Sequence, residues 1–118
     1  MAVSVEIWHN PRCSKSRTTL KLLQENGVEP TVRLYLQDAP SKAEIEAVLS
    51  ALGVSAIDLV RTGEAEFRAS GLTKDSPDAD LIAAMVSTPK LIERPVVISN
   101  GKARIGRPPE AVLDLLET

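Results

Sequence analysis

The chain has one cysteine and one histidine in 118 residues, no excess of positive charge and no long apolar run. A single thiol excludes an internal disulfide and is too little for a thiolate metal cluster, so no metal site is expected and any disulfide must be made with another molecule. Fourteen basic side chains against 16 acidic ones give a formal charge of -2. That balance removes the electrostatic footprint that binding to a phosphate backbone requires, and nucleic acid is not an expected partner. No stretch approaches the roughly 18 consecutive apolar residues of a membrane span. The opening residues Met1 to Glu6 also lack the charged and apolar regions of a secretion signal, so a cytoplasmic location without a membrane partner is expected.

What is present is an apolar share of 43%, enough for a continuous core in one domain spanning residues 1–118, with a monomer as the expected state. Val3 to Trp8 alternates and is rich in β-formers, and His9-Asn10-Pro11-Arg12 punctuates it, so a strand ends there. Leu20, Leu22 and Leu23 then fall among good helix formers until Asn26-Gly27, which predicts a helix over 14–26. Thr31 to Leu36 alternates again, with Val32, Leu34 and Leu36 on one side. A strand after a helical crossover of this length is expected to run parallel to the first. Ser41-Lys42-Ala43-Glu44 is a capping box, followed by Ile45, Val48, Leu49 and Leu52 at helical spacing and a stop at Gly53. Short helices are expected from Ser55 through Val60 and over Glu64 to Ala69, and a longer one after Ser76-Pro77 carrying Leu81, Ile82, Met85 and Val86. Val96 to Ser99 and Lys102 to Ile105 flank Asn100-Gly101, a two-residue hairpin turn. Pro108-Pro109-Glu110 opens a final helix whose expected buried side is Val112, Leu113, Leu115 and Leu116. The order is βαβ, helices, ββα. It predicts an α/β protein of thioredoxin-like plan, with a mixed four-stranded sheet and a helical insertion between its halves.

Cys13 follows a strand and a proline turn and begins a helix, so unpaired N–H groups and the positive end of the helix dipole converge on its sulfur. His9 and Arg12 add donors or positive charge, and such surroundings favour the thiolate. The polar and basic flanks His9, Asn10, Arg12, Ser14 and Lys15 are wrong for an inert core cysteine. Ser16 stands one helical turn on, where a dithiol oxidoreductase keeps its resolving cysteine, and it reads equally as a local cap. Arg61, Arg94 and Arg107 lie at element boundaries, and converging guanidinium forks match a tetrahedral oxyanion. Periodicity alone does not select them from Arg17, Arg33, Arg68 and Arg104. A phosphatase-type loop needs an arginine six positions after its cysteine, and that position is Thr19. Cysteine hydrolysis needs a histidine base, and only His9 exists, with no evident orienting partner.

His9-Asn10-Pro11-Arg12-Cys13-Ser14-Lys15-Ser16-Arg17, Leu34-Tyr35-Leu36, Glu93-Arg94-Pro95-Val96-Val97 and Ile105-Gly106-Arg107-Pro108-Pro109 together resemble the glutaredoxin-coupled arsenate reductases. The resemblance runs from about Val5 to the last helix. It implies a thioredoxin-like fold, a nucleophile at Cys13, oxyanion-binding arginines at Arg61, Arg94 and Arg107, a cis peptide bond before Pro95, and a thiol-tuning role for His9. Asn10, Arg12 and Ser16 would be supporting residues. The implied reaction is attack of the Cys13 thiolate on arsenate, reduction to arsenite with glutathione as co-substrate, and resolution of the mixed disulfide by glutaredoxin, with no tightly bound cofactor. The cysteine count agrees on its own, because arsenate reductases coupled to thioredoxin pass oxidation among several cysteines of one chain.

Two other readings fit parts of the pattern. A general glutathione-dependent thiol-disulfide oxidoreductase would use the same activated cysteine on protein mixed disulfides. A non-enzymatic redox regulator, similar to the polymerase-binding redox sensors of this fold, would need a Cys-x-x-Cys switch, and Ser16 removes it.

Overall fold

The computed structural model describes residues 4–116. The start of the first expected strand, at Val3, lies outside the described residues. Residues 4–38 and 94–116 make one compact unit, and Ala39–Glu93 make a second.

The first unit is built on a four-stranded sheet in the order β2-β1-β3-β4. Strand β1 (Val5–Trp8) is parallel to β2 (Thr31–Arg33), with Ile7 opposite Val32. It is antiparallel to β3 (Val96–Ser99), with Ile7 opposite Val97. Strand β3 turns into β4 (Lys102–Ile105) through Asn100-Gly101, both at positive φ (52° and 78°). That is the conformation a two-residue turn between twisted strands requires, and asparagine and glycine tolerate it best. Helix α1 (Ser14–Glu25) is the crossover between the parallel strands. It ends at Asn26, and Gly27 turns the chain at φ 80°. Val5, Ile7 and Val97 from the sheet, Leu23 from α1, and Val112 and Leu115 from the C-terminal segment form one buried cluster.

Two expectations for this unit are corrected. The second strand stops at Arg33, not Leu36. The N–H groups of Gln37 and Asp38 both bond to the carbonyl of Leu34 (2.9 Å each), so the chain curls out of the sheet, burying Tyr35 and leaving Val32, Leu34 and Leu36 exposed. The alternation of Val32, Leu34 and Leu36 is therefore that of a solvent-facing side, with β2 at the edge of the sheet. The last segment, Pro109–Leu116, is a 3₁₀ helix. With three residues per turn only Val112 and Leu115, spaced by three, are fully buried, while Leu113 and Leu116 are half-buried.

The second unit is helical. Helix α2 (Lys42–Leu52) starts with the expected reciprocal cap: Ser41 Oγ accepts from the N–H of Glu44 (3.2 Å) and Glu44 Oε1 accepts from the N–H of Ser41 (2.9 Å). A 3₁₀ turn (Ala56–Leu59), helix α3 (Ala65–Ala69), helix α4 (Asp78–Ser87) and a second 3₁₀ turn (Pro89–Leu91) follow. The last of these is not evident from apolar spacing. An isolated bridge between Val60 and Ile92 ties the two 3₁₀ turns together, and Ile45, Leu59, Leu81, Met85, Leu91 and Ile92 are buried. No described helix is long and apolar enough to cross a membrane.

Candidate active site

The loop between β1 and α1 is held by polar contacts from both ends. The N–H of His9 bonds to the Arg33 carbonyl (2.8 Å), which extends the β1-β2 pairing by one residue. Asn10 Oδ1 accepts from the N–H of Arg12 (3.0 Å), and the Asn10 carbonyl accepts from the N–H of Cys13 (3.0 Å). These two bonds fold Asn10-Pro11-Arg12-Cys13 into a tight turn of the kind asparagine favours. Cys13 is the N-cap residue of α1, with extended backbone (φ -94°, ψ 122°), and its carbonyl accepts the first helical bond, from Arg17. No side chain caps this helix and no acid lies in its first turn. The orphan donors and dipole end therefore face Cys13, which is half-exposed.

Ser16 is fully buried. Its hydroxyl lies 2.6 Å from His9 Nδ1 and accepts from the N–H of Asn10 (3.0 Å). It therefore does not cap α1; it fastens the loop to the helix. His9 itself is only 6% exposed. Burial, and secondarily the Arg17 guanidinium, push its pKa below the ordinary 6.5. The imidazole is neutral at pH 7, so of the two expected sources of positive charge only Arg12 supplies any. Arg17 adds what spacing did not single out: its Nη1 donates to the Pro11 carbonyl (2.8 Å), clamping the loop from one helical turn beyond Cys13.

The hairpin brings two of the three expected arginines together. Val96 pairs with Ile105, so one step on Pro95 faces Gly106, and the next step sets Arg94 opposite Arg107. The Gly106 N–H bonds to the Pro95 carbonyl (2.9 Å) and Arg107 Nε donates to the Arg94 carbonyl (3.0 Å). Nε and Nη1 of Arg94 are shielded from solvent. The Arg94–Pro95 bond is cis, as is Arg107–Pro108, which the sequence had not suggested. His9 and Pro95 stand one step beyond the last β1-β3 pair, Trp8 and Val96, so the Cys13 loop and both arginines occupy the same end of the sheet. Gly106 is where they are pressed together. A Cβ there would lie 2.6 Å from Thr19 Oγ1 on α1 and 2.7 Å from Pro95 Cγ, so only glycine fits.

Arg61 belongs to the second unit. Its N–H bonds to the Leu91 carbonyl (2.7 Å), and its guanidinium pairs with Glu64 (2.5 Å) and Glu93 (3.8 Å). Glu64 is shared with Lys90 (3.6 Å), which also pairs with Glu66 (3.3 Å). The hydrogen bond to Glu66 is the first cause holding the Lys90 ammonium above its usual range. Arg61 is thus one member of a charge network among Glu64, Glu66, Lys90 and Glu93. Among the described residues no group of His, Cys, Asp and Glu could hold a metal ion.

A βαβ-ββ sheet with a half-exposed cysteine at the start of the crossover helix and a cis-proline at the start of β3 defines a thioredoxin-like thiol protein. The chain belongs to the ArsC family, which it matches over residues 8–115. It is 52% identical over 118 residues to the uncharacterised protein YfgD of Escherichia coli K12, covering 98% of this chain and 99% of that one. It is 43% identical over 116 residues to a protein of Haemophilus influenzae named arsenate reductase (97% and 100% covered). Among solved structures, an arsenate reductase from Vibrio cholerae superposes with a TM-score of 0.94 at 45% identity, covering 98% of this chain and 99% of that one.

Proposed function

We propose that this chain reduces arsenate to arsenite in the cytoplasm, with Cys13 as nucleophile and glutathione and glutaredoxin as reductants. The observation that carries this reading is the shared sheet end: the β1-α1 loop that presents Cys13 and the facing pair Arg94 and Arg107 are brought there by strand register. Family membership and the arsenate reductases among its relatives support it.

The Cys13 thiolate attacks arsenic, an As–O bond breaks, and the departing oxygen takes up a proton and leaves as water. Arg94 and Arg107 bind the oxyanion and stabilise its charge as the thiol-arsenate adduct forms, and the family resemblance assigns Arg61 the same task. The glutathione thiolate then attacks the sulfur of Cys13. A sulfur–sulfur bond forms, the sulfur–arsenic bond breaks, and its electron pair stays on arsenic, which leaves as arsenite. Glutaredoxin thiolate finally attacks the glutathione sulfur of the mixed disulfide and releases Cys13 as thiolate. His9, Asn10, Arg12 and Ser16 hold the loop, and Pro95 borders it.

The test is arsenite production that requires glutathione and glutaredoxin, is lost in Cys13→Ser and is weakened in Arg94→Ala. Intact mass after incubation with arsenate and glutathione should show one added glutathione on Cys13 only when arsenate is present. Absence of arsenite at every arsenate concentration would defeat the reading. One observation favours the general thiol-disulfide oxidoreductase instead: Arg61 is already paired with two carboxylates. That alternative predicts efficient removal of glutathione from protein mixed disulfides, unaffected by Arg94→Ala or Arg107→Ala.

A further inference from the structure

We propose that the cavity on the β2 side of the Cys13 loop is the seat of the attacking glutathione, an inference that rests on the arsenate reaction above. The cavity is about 230 Å³ and is lined by His9, Asn10, Pro11, Arg12, Leu34, Leu36 and Gln37. Its wall on one side is therefore the turn that ends at the nucleophile.

Three observations point to this occupant. The first is direction. Displacement at sulfur is in line, so the thiolate that attacks Cys13 must arrive opposite the departing arsenic. In the sheet order β2-β1-β3-β4 the arginine pair Arg94 and Arg107 stands on the β3-β4 side of β1, while Leu34, Leu36 and Gln37 follow β2 on the other side. The cavity and the oxyanion arginines flank the Cys13 loop, as an in-line exchange requires.

The second is chemistry. Leu34 (37% exposed) and Leu36 (45%) offer apolar surface unsuited to arsenate but suited to the methylene and peptide portions of a small thiol. Leu34 and Leu36 are two of the four exposed large apolar side chains among the described residues, and both line this one cavity. The third is charge. Arg12 is the one charged lining residue at pH 7, and its guanidinium makes no hydrogen bond or ion pair among the described residues, since only its backbone N–H is engaged. Glutathione brings carboxylates at both ends, and a guanidinium fork matches either. The volume falls below the roughly 300–1,000 Å³ of sites that engulf their ligands, which suits a co-substrate held by one end and released each turnover.

S-methylglutathione, which binds without exchanging, separates the seat from the chemistry. Titrated into the protein with amides followed by NMR, it should perturb residues 9–12 and 34–37, and Arg12→Glu or Leu36→Glu should weaken it about tenfold. In turnover Leu36→Glu should raise the glutathione KM about tenfold and leave the arsenate KM unchanged, while alkylation of Cys13 by neutral iodoacetamide proceeds as in the parent. Amide changes elsewhere, equal rises in both KM values, or a defect confined to the glutaredoxin step, meaning a protein docks there instead, would overturn the assignment. If the parent chain makes no arsenite the arsenate reading falls, and the S-methylglutathione titration still decides the seat.

Discussion

The Ser16 hydroxyl sits 2.6 Å from Nδ1 of His9 and at the same time accepts the Asn10 N–H at 3.0 Å. Because one hydroxyl has one hydrogen, the arrangement is satisfied when Ser16 donates to an unprotonated Nδ1, which agrees with the lowered pKa of the buried ring. Ser16→Ala strands the Asn10 N–H and Nδ1 together and is expected to cost about 1–3 kcal/mol, read as a lower denaturation midpoint with unchanged slope. The pH dependence has a definite sign. The unfolded chain takes up a proton on His9 near pH 6.5, whereas the folded chain does so only at lower pH. Stability from the neutral ring is whole above 6.5 and is lost as pH falls from there through the lower folded-state value. His9→Gln should flatten this slope in unfolding curves taken at successive pH values; an unchanged slope would show that His9 is not its source.

Gly106 admits no side chain, since its Cβ would meet Thr19 Oγ1 at 2.6 Å and Pro95 Cγ at 2.7 Å. Gly106→Ala is therefore expected to destabilise by about 1–3 kcal/mol through overpacking. Pro95 borders the Cys13 loop and Gly106 adjoins Arg107, so activity should fall further than stability accounts for. Adding Thr19→Gly removes one of the two clashes and should recover part of the stability but not all, because the proline ring stays. Thermal unfolding of the single and double variants measures this.

The spacing of residues made most of this fold legible, and the misses share one cause. The Ser41 capping box, the Asn100-Gly101 turn and the βαβ order were readable because they depend on local chemistry. Helix α1 was read from its leucines, yet its buried residues are Ser16, Thr19 and Leu23. Polar side chains on a buried face are invisible to apolar periodicity; Ser16 is buried because it bonds within the loop, and Thr19 because its hydroxyl returns to the Lys15 carbonyl (2.8 Å). The same holds for the site. The flanks of Cys13 are readable in the sequence, whereas Arg94 and Arg107 stand apart from the other arginines only through the family resemblance. Arg17, which reaches back to the Pro11 carbonyl, and Glu64, which engages Arg61, act through tertiary contacts that spacing does not encode.

Arg17 acts on the loop in two separable ways. Its Nη1 holds the Pro11 carbonyl at 2.8 Å, and its charge opposes protonation of His9. Arg17→Gln should therefore move the His9 titration upward toward 6.5, observable in the imidazole C–H resonances. Because the side chain is exposed, the cost in stability should stay within about 1 kcal/mol. Arsenite production should fall more than that figure implies, since the loop that carries Cys13 loses its clamp; a His9 titration that does not move would remove the electrostatic part of this account.

Glu64 and Glu93 decide how available Arg61 is to a substrate. With Glu64 at 2.5 Å and Glu93 at 3.8 Å, a guanidinium that bound arsenate would have to exchange carboxylate partners for its oxygens, and that exchange would subtract from the net gain of binding. Glu64→Gln keeps the shape and removes the charge, so the arsenate KM should fall about threefold if Arg61 binds the anion, the size expected of a half-exposed ion pair. Arg61→Ala should raise the same KM, and in the Arg61→Ala background Glu64→Gln should have no further effect. The cycle is read from steady-state rates at saturating glutathione, where only the arsenate term varies. An equal effect of Glu64→Gln with and without Arg61 would assign it to the field of the whole charge network, Lys90 and Glu66 included, and would leave Arg61 outside the anion site.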